Sequence, residues 1–329
     1  MRAMATVAVA SAASTRAVNR RLGRVPLAVL RQTGRGGVAR PVTASDGTRL
    51  HVEIDGPDDA PLTVVFSHGV ALDLTMWRRQ REALTGSPVR RVFYDHRGHG
   101  LSERGPVGAV SARRLGEDLH AVIEAVAPSG PVALVGHSMG GMTIMALAGA
   151  HPEQFGARIK ATLLVNTSSG ELDKATLGLP PRIAQLFHEH IAEVCANLAC
   201  HPELTRAAGL APYRLMVRQV CHPSTSRRTR RTLAALISAM PLEVLGEFID
   251  KLRPFSELVS LPTLGRARTV ILAGDRDIVT PRAHAEVLAH QIPGAALIEV
   301  ARCGHLLPLE HPHILDGHIA EMIASVAPA

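Results

Sequence analysis

The sequence predicts an α/β fold in which a mostly parallel sheet is flanked by helices and interrupted by one helical insertion. Three observations predict it. Short apolar runs alternate with longer runs of helical period along most of the chain. That alternation stops after Asn166 and resumes only near Arg268. Between a strand-like run ending at Val135 and a helix-like run starting at Met142 lies Gly136-His137-Ser138-Met139-Gly140-Gly141, a sharp turn with a serine at its apex.

Strands are predicted, in order, over Leu50–Ile54, Thr63–Ser67, Arg91–Tyr94, Val132–Val135, Ala161–Val165, Thr269–Leu272 and Ala296–Val300. Each is a short, mostly apolar run bounded by turn-forming residues. Helices are predicted over Met76–Leu84, Ser111–Val126, Met139–Ala150, Arg282–Gln291 and His313–Val326. From about Ser168 to Pro262 the chain carries helix-like runs broken by prolines and no buried strand. The organisation expected is therefore an arm (1–45), a core (46–167 and 263–329) and an insertion (168–262). With 329 residues and 46% apolar content, the chain can bury a large core. Its apolar runs fall well short of the roughly 20 residues that a membrane-spanning helix needs. It has no internal repeat.

The net charge of +7 raises the question of nucleic acid. Residues 1–40 hold eight arginines and no Asp or Glu, so the rest of the chain sits at −1. The basic character belongs to the arm. No aromatic interleaving or nucleic-acid module accompanies it, and nucleic acid is not an expected partner. Within the arm, Val18, Leu22, Val25 and Val29 fall at helical spacing, although Gly23 and Pro26 disfavour a helix interior. Three readings stay open: a helix packed on the body, an unstructured leader, or a basic amphipathic helix resting on an anionic membrane. Met4 to Ala13 is too weakly apolar for a good secretory signal, so the expected location is cytoplasmic, with peripheral membrane contact through the arm as the alternative. Cys195, Cys200, Cys221 and Cys303 include no CxxC pair. Despite the repeated Cys200-His201-Pro202 and Cys221-His222-Pro223, free thiols are expected, not a zinc site.

A serine hydroxyl is a weak nucleophile and needs a base to take its proton. Candidate partners follow downstream. Thr269 to Leu272 runs into a loop with Asp275, Asp277 and Pro281, and Ala296–Val300 is followed by Arg302-Cys303-Gly304-His305. Ser, Asp and His thus come in that order, each just after a strand. His68-Gly69-Val70 follows the Thr63 strand, and Asp95-His96-Arg97-Gly98-His99-Gly100-Leu101-Ser102 follows the Arg91 strand. With these motifs the chain resembles the α/β-hydrolase superfamily from about Thr48 to about Ala324. The elbow Gly-His-Ser-Met-Gly-Gly is similar to those of lysophospholipases and monoacylglycerol lipases, and also to those of many esterases.

The resemblance implies roles. Ser138 is the nucleophile, His305 the base, and Asp277 the acid, chosen over Asp275 by its spacing from Gly274 and Pro281. The backbone N–H groups of Val70 and Met139 form the oxyanion hole. His68 braces its loop, Asp95 and Arg97 form a structural pair, Trp77 is a packing anchor, and the insertion is a helical cap. The implied activity is hydrolysis of carboxylic esters, lipid-like ones included, through an acyl-enzyme, with no metal or organic cofactor. A cofactor-free haloperoxidase or perhydrolase would use the same three residues, and a non-enzymatic binding protein is the remaining alternative. Ser138 at the apex argues against the dehalogenases and epoxide hydrolases, which place Asp there. Apolar cap residues Leu186, Phe187, Leu215, Met216, Leu236 and Met240 are candidates to line an acyl pocket.

Overall fold

The structure, a computed structural model, describes residues 37–326. Among the described residues ten strands form, in chain order: β1 (Val38–Ala39), β2 (Val42–Thr43), β3 (Arg49–Leu50), β4 (Val52–Asp55), β5 (Thr63–Ser67), β6 (Arg90–Tyr94), β7 (Val132–His137), β8 (Ile159–Val165), β9 (Arg268–Gly274) and β10 (Ala296–Val300). Eight of them build one sheet in the order β1-β4-β6-β5-β7-β8-β9-β10. The pairs β1–β4 and β4–β6 are antiparallel, and every pair from β6 to β10 is parallel. Every residue of β5 and β7 is buried, as expected for central strands covered on both faces.

Among the described residues the helices are α1 (Arg78–Ala83), α2 (Ala112–Val126), α3 (Met139–Ala150), α4 (Pro181–Cys200), α5 (Pro202–Ala208), α6 (Ala211–Val220), α7 (Arg227–Ile237), α8 (Leu242–Leu252), α9 (Leu261–Leu264), α10 (Arg282–Gln291), α11 (Leu307–Glu310) and α12 (Pro312–Val326). The run expected as a helix from Met76 opens instead as a 3₁₀ turn, Leu74–Trp77, capped where Asp73 accepts from the Thr75 N–H at 2.9 Å. Helix α3, directly behind the elbow, is buried on nearly every side. Trp77 is fully buried, with its ring 5.4 Å from that of Phe66.

Two expectations are corrected near the start. The strand expected over Leu50–Ile54 breaks at His51 into β3 and β4, because the His51 backbone turns to the loop after β6. Its N–H donates to Ser102 Oγ (2.8 Å) and its carbonyl accepts from the Asp95 N–H (2.9 Å). The arm also ends earlier than residue 45. Val38–Ala39 pairs with β4, Val42–Thr43 pairs with β3, and Val42 and Ala44 are buried. The apolar side chains there and the open edge of β4 draw residues 38–44 into the body. Residues 1–36, with Val18, Leu22, Val25 and Val29, lie outside the described residues.

Helices α4 to α8 occupy the chain between β8 and β9. An antiparallel bridge between Gly170 and Ser256 closes the base of this excursion, reinforced by the Glu257 N–H donating to Ser169 O at 2.9 Å. Helices α4 and α8 cross closely, with Gly246 facing Ala192 and Cys195 where a methyl group would collide. The insertion touches the core at several places. Phe248 meets the His99 ring (4.7 Å) and Glu247 pairs with Arg104 (2.5 Å), while His222 N–H donates to Glu310 (2.7 Å). All four cysteines are free thiols. Among the described residues no group of three or more His, Cys, Asp or Glu is placed to hold a metal ion. No single helix there is long and apolar enough to cross a membrane.

Candidate active site

Ser138 lies between the last residue of β7 and the first of α3, with φ 52° and ψ −118°. An L-residue in that region stores about 1–3 kcal/mol of strain. The surroundings hold it there. Its N–H donates to Val165 O (3.0 Å), and its carbonyl accepts from the Gly141 N–H (2.9 Å) and from Thr167 Oγ1 (2.7 Å). The elbow glycines answer a packing requirement. A Cβ on Gly140 would lie 2.0 Å from the Ser67 carbonyl oxygen, and one on Gly136 would lie 2.7 Å from the Gly140 backbone.

Three side chains then meet in line. His305 Nε2 is 3.0 Å from Ser138 Oγ, and His305 Nδ1 is 2.8 Å from Asp277 Oδ2. With Nδ1–H donated to the carboxylate, Nε2 is left to accept the serine proton. Asp277 also accepts from Asn166 Nδ2 (2.8 Å) and Thr280 Oγ1 (2.8 Å) on Oδ2, and from the N–H groups of Val279 (2.8 Å) and Thr280 (3.0 Å) on Oδ1. Burial opposes its ionisation, but the neighbouring His305 and these hydrogen bonds outweigh burial and hold the carboxyl below the usual range. Asp275 serves its loop instead, accepting from the Cys303 N–H at 3.0 Å.

Met139 opens α3 directly after Ser138, and Gly69, the neighbour of Val70, lies so close to Ser138 that a Cβ on it would sit 3.3 Å from the Ser138 Cβ. The Val70 loop is held by two histidines. His68 Nδ1 bonds Gly69 O (2.8 Å) while its Nε2 accepts from the His96 N–H (3.0 Å). His99 Nε2 accepts from the Ala71 N–H (3.2 Å), and its Nδ1–H donates to Arg97 O (2.9 Å). Burial pulls the His99 pKa down to about 3, so the ring is neutral and its Nε2 is an acceptor at neutral pH. Ala71 itself sits at φ 61°. The pairing expected of Asp95 with Arg97 takes another form. Asp95 accepts from the Leu74 and Leu101 N–H groups (2.7 and 2.8 Å), whereas the buried Arg97 pairs with Asp118 (2.6 Å) and Asp46 (2.8 Å). The loop needs its backbone donors satisfied, and the guanidinium needs a carboxylate from α2.

Several residues here were not singled out from the sequence: Asn166, Thr167, Thr280 and His99. Asn166 had one visible signal, as the last residue before the strand-helix alternation lapses. Of the six apolar insertion residues expected near the pocket, Leu236 and Met240 are buried, while Leu186, Phe187, Leu215 and Met216 are exposed.

The family of the alpha/beta hydrolase fold matches residues 63–312. The chain belongs to that family. This α/β hydrolase is 38% identical over 104 residues to 3-oxoadipate enol-lactonase 1 of Acinetobacter baylyi, a stretch covering 32% of this chain and 37% of that one, less than two thirds of the relative's length. Among solved structures, a hydrolase from Pseudomonas aeruginosa is 27% identical with a TM-score of 0.65, covering 88% of this chain and 99% of that one. A thermophilic esterase from Thermogutta terrifontis, 24% identical, shares the fold with a TM-score of 0.69 over 88% of this chain and all of its own.

Proposed function

We propose that this α/β hydrolase cleaves carboxylic esters through an acyl-enzyme formed on Ser138. The observation that carries the reading is the continuous line Ser138 Oγ–His305 Nε2 (3.0 Å) and His305 Nδ1–Asp277 Oδ2 (2.8 Å). Ser138 Oγ bonds to the acyl carbon while its proton passes to His305 Nε2, and the carbonyl electrons move onto oxygen. The Val70 and Met139 N–H groups receive that oxyanion. Collapse expels the alcohol, which takes the proton back from His305. A water then attacks the acyl carbon by the same route and frees the acid and Ser138. Asp277 keeps the imidazole in the required tautomer and stabilises its charged form without itself taking the proton.

A relative named for lactone hydrolysis supports an ester carbonyl as the reacting group, since a lactone is a carboxylic ester closed on itself. We place substrate selection in the insertion, whose α8 brings Phe248 against His99 beside the Val70 loop. A fluorophosphonate probe mapped by mass spectrometry, followed by p-nitrophenyl esters of increasing acyl length, tests the proposal. Labelling on Ser138 with turnover supports it, and the length series separates small from lipid-like substrates. No labelling of Ser138 together with no turnover of any ester rejects it.

A further inference from the structure

Asn166 carries two local penalties. It follows β8 with φ 45°, a region an L-residue enters at a cost, though Asn does so more readily than most. It is 2% exposed, and its Oδ1 is buried with no hydrogen-bond partner among the described residues. A buried orphan acceptor is costly on its own. Both penalties fall on one residue, and that residue touches the reacting line.

The contacts explain why the amide faces as it does. Nδ2 donates one proton to Asp277 Oδ2 (2.8 Å) and the other to Gly304 O (2.7 Å). Both partners only accept, so turning the amide over would set oxygen against oxygen twice. The Asn166 N–H donates to Leu272 O (2.8 Å), which anchors the residue to β9. One planar group thus spans the carboxylate that holds His305 and the residue preceding His305 in the chain.

We propose that Asn166 is a positioning residue for the Ser138–His305–Asp277 line, setting the distance between the carboxylate and the imidazole and taking up part of the carboxylate's charge. The proposal rests on the esterase reading above. Without the amide, more of the Asp277 charge falls on His305. The imidazolium gains, and the base stays protonated to higher pH. The other groups facing this pair are His137, whose ring lies 5.1 Å from that of His305, His284 across from Asp277, Asp275 and Cys303 on the adjoining loops, and Glu310, which accepts from the Leu306 N–H. The variants below leave all of them in place.

Asn166→Gly removes the amide and suits the positive φ, so its fold is preserved. Asn166→Asp keeps the shape and adds a second carboxylate against Asp277 Oδ2. The acidic limb of the kcat/KM–pH profile on a p-nitrophenyl ester is expected to move up by about 0.5–1 unit in Asn166→Gly and by more than one unit in Asn166→Asp. Above the limb, kcat should fall about tenfold in Asn166→Gly. A residue that only supports the fold would lower activity or Tm and leave the limb where it is. Superimposable profiles for the wild type and a folded Asn166→Gly overturn the proposal, as does a shift toward lower pH. If Asn166→Asp does not fold, the Asn166→Gly profile decides alone. A wild type that neither labels at Ser138 nor turns over ester rejects the esterase reading instead, which keeps the two failures apart.

Discussion

His137 Nε2 lies 2.8 Å from the carbonyl oxygen of His305, so the residue before Ser138 grips the backbone of the residue that faces Ser138. The ring is fully buried. Burial first, and then the nearby His305, pull its pKa down to about 3, which keeps it a neutral donor to that carbonyl. His137→Ala should lower kcat about 10–100-fold, the loss expected when a catalytic group drifts by a fraction of an ångström, with KM little changed. Steady-state kinetics checks this, and an unchanged kcat would show that the His305 loop is held without His137.

The buried histidines set the acid stability. His137 and His99 have folded pKa values of about 3 against 6.5 when exposed, and His96 is held well below 6.5 mainly by burial. The unfolded chain takes up these protons below pH 6.5 and the folded chain does not, so stability is full above that pH and falls as pH drops toward 3. Each histidine should contribute a slope of about 1.4 kcal/mol per pH unit within that window. Chemical denaturation at a series of pH values measures the slope, and His99→Gln should reduce it by about one histidine's share.

Ser138 stores strain at the position the proposed attack uses. Ser138→Gly should raise stability by about 1 kcal/mol, because glycine occupies φ 52° freely. Ser138→Ala keeps a Cβ and should bring no such gain. Both should abolish ester turnover and probe labelling. Thermal unfolding beside a turnover assay separates the two effects.

The two aspartates of the β9 loop should part clearly. Asp277→Asn favours the wrong imidazole tautomer and should cost about 10⁴-fold in kcat. Asp275→Asn weakens a charge-assisted bond to the Cys303 N–H and should cost about 1 kcal/mol of stability with a small change in rate. A reversal of the two rate effects would move the acid to Asp275.

The parallel strands and the elbow can be read from the sequence because their signals are local: continuous apolar runs, and glycines packed around one serine. Pairings set by tertiary contact leave no such trace. Strands β1 and β2 are two residues each, too short to show a period, and they form because β4 offers an edge to β1 and β3 offers one to β2. Asn166 bonds partners 111 and 138 residues away, and His99 reaches 28 residues back to Ala71. A lone Asn after a strand, or one His among 17, carries no local mark of such a bond. Asp275 and Asp277 were separable only by family spacing, since both sit in the same turn.

The His305 N–H donates to Val220 O at 2.7 Å, at the C-terminal end of α6. The insertion is therefore only partly interchangeable. Gly170 and Ser256, bridged at its base, are natural splice points for grafting a foreign segment onto this scaffold. A graft joined there would keep the sheet and the elbow intact. It would still have to present a carbonyl where Val220 presents one, or the backbone of His305 would lose an anchor that no part of the sheet replaces.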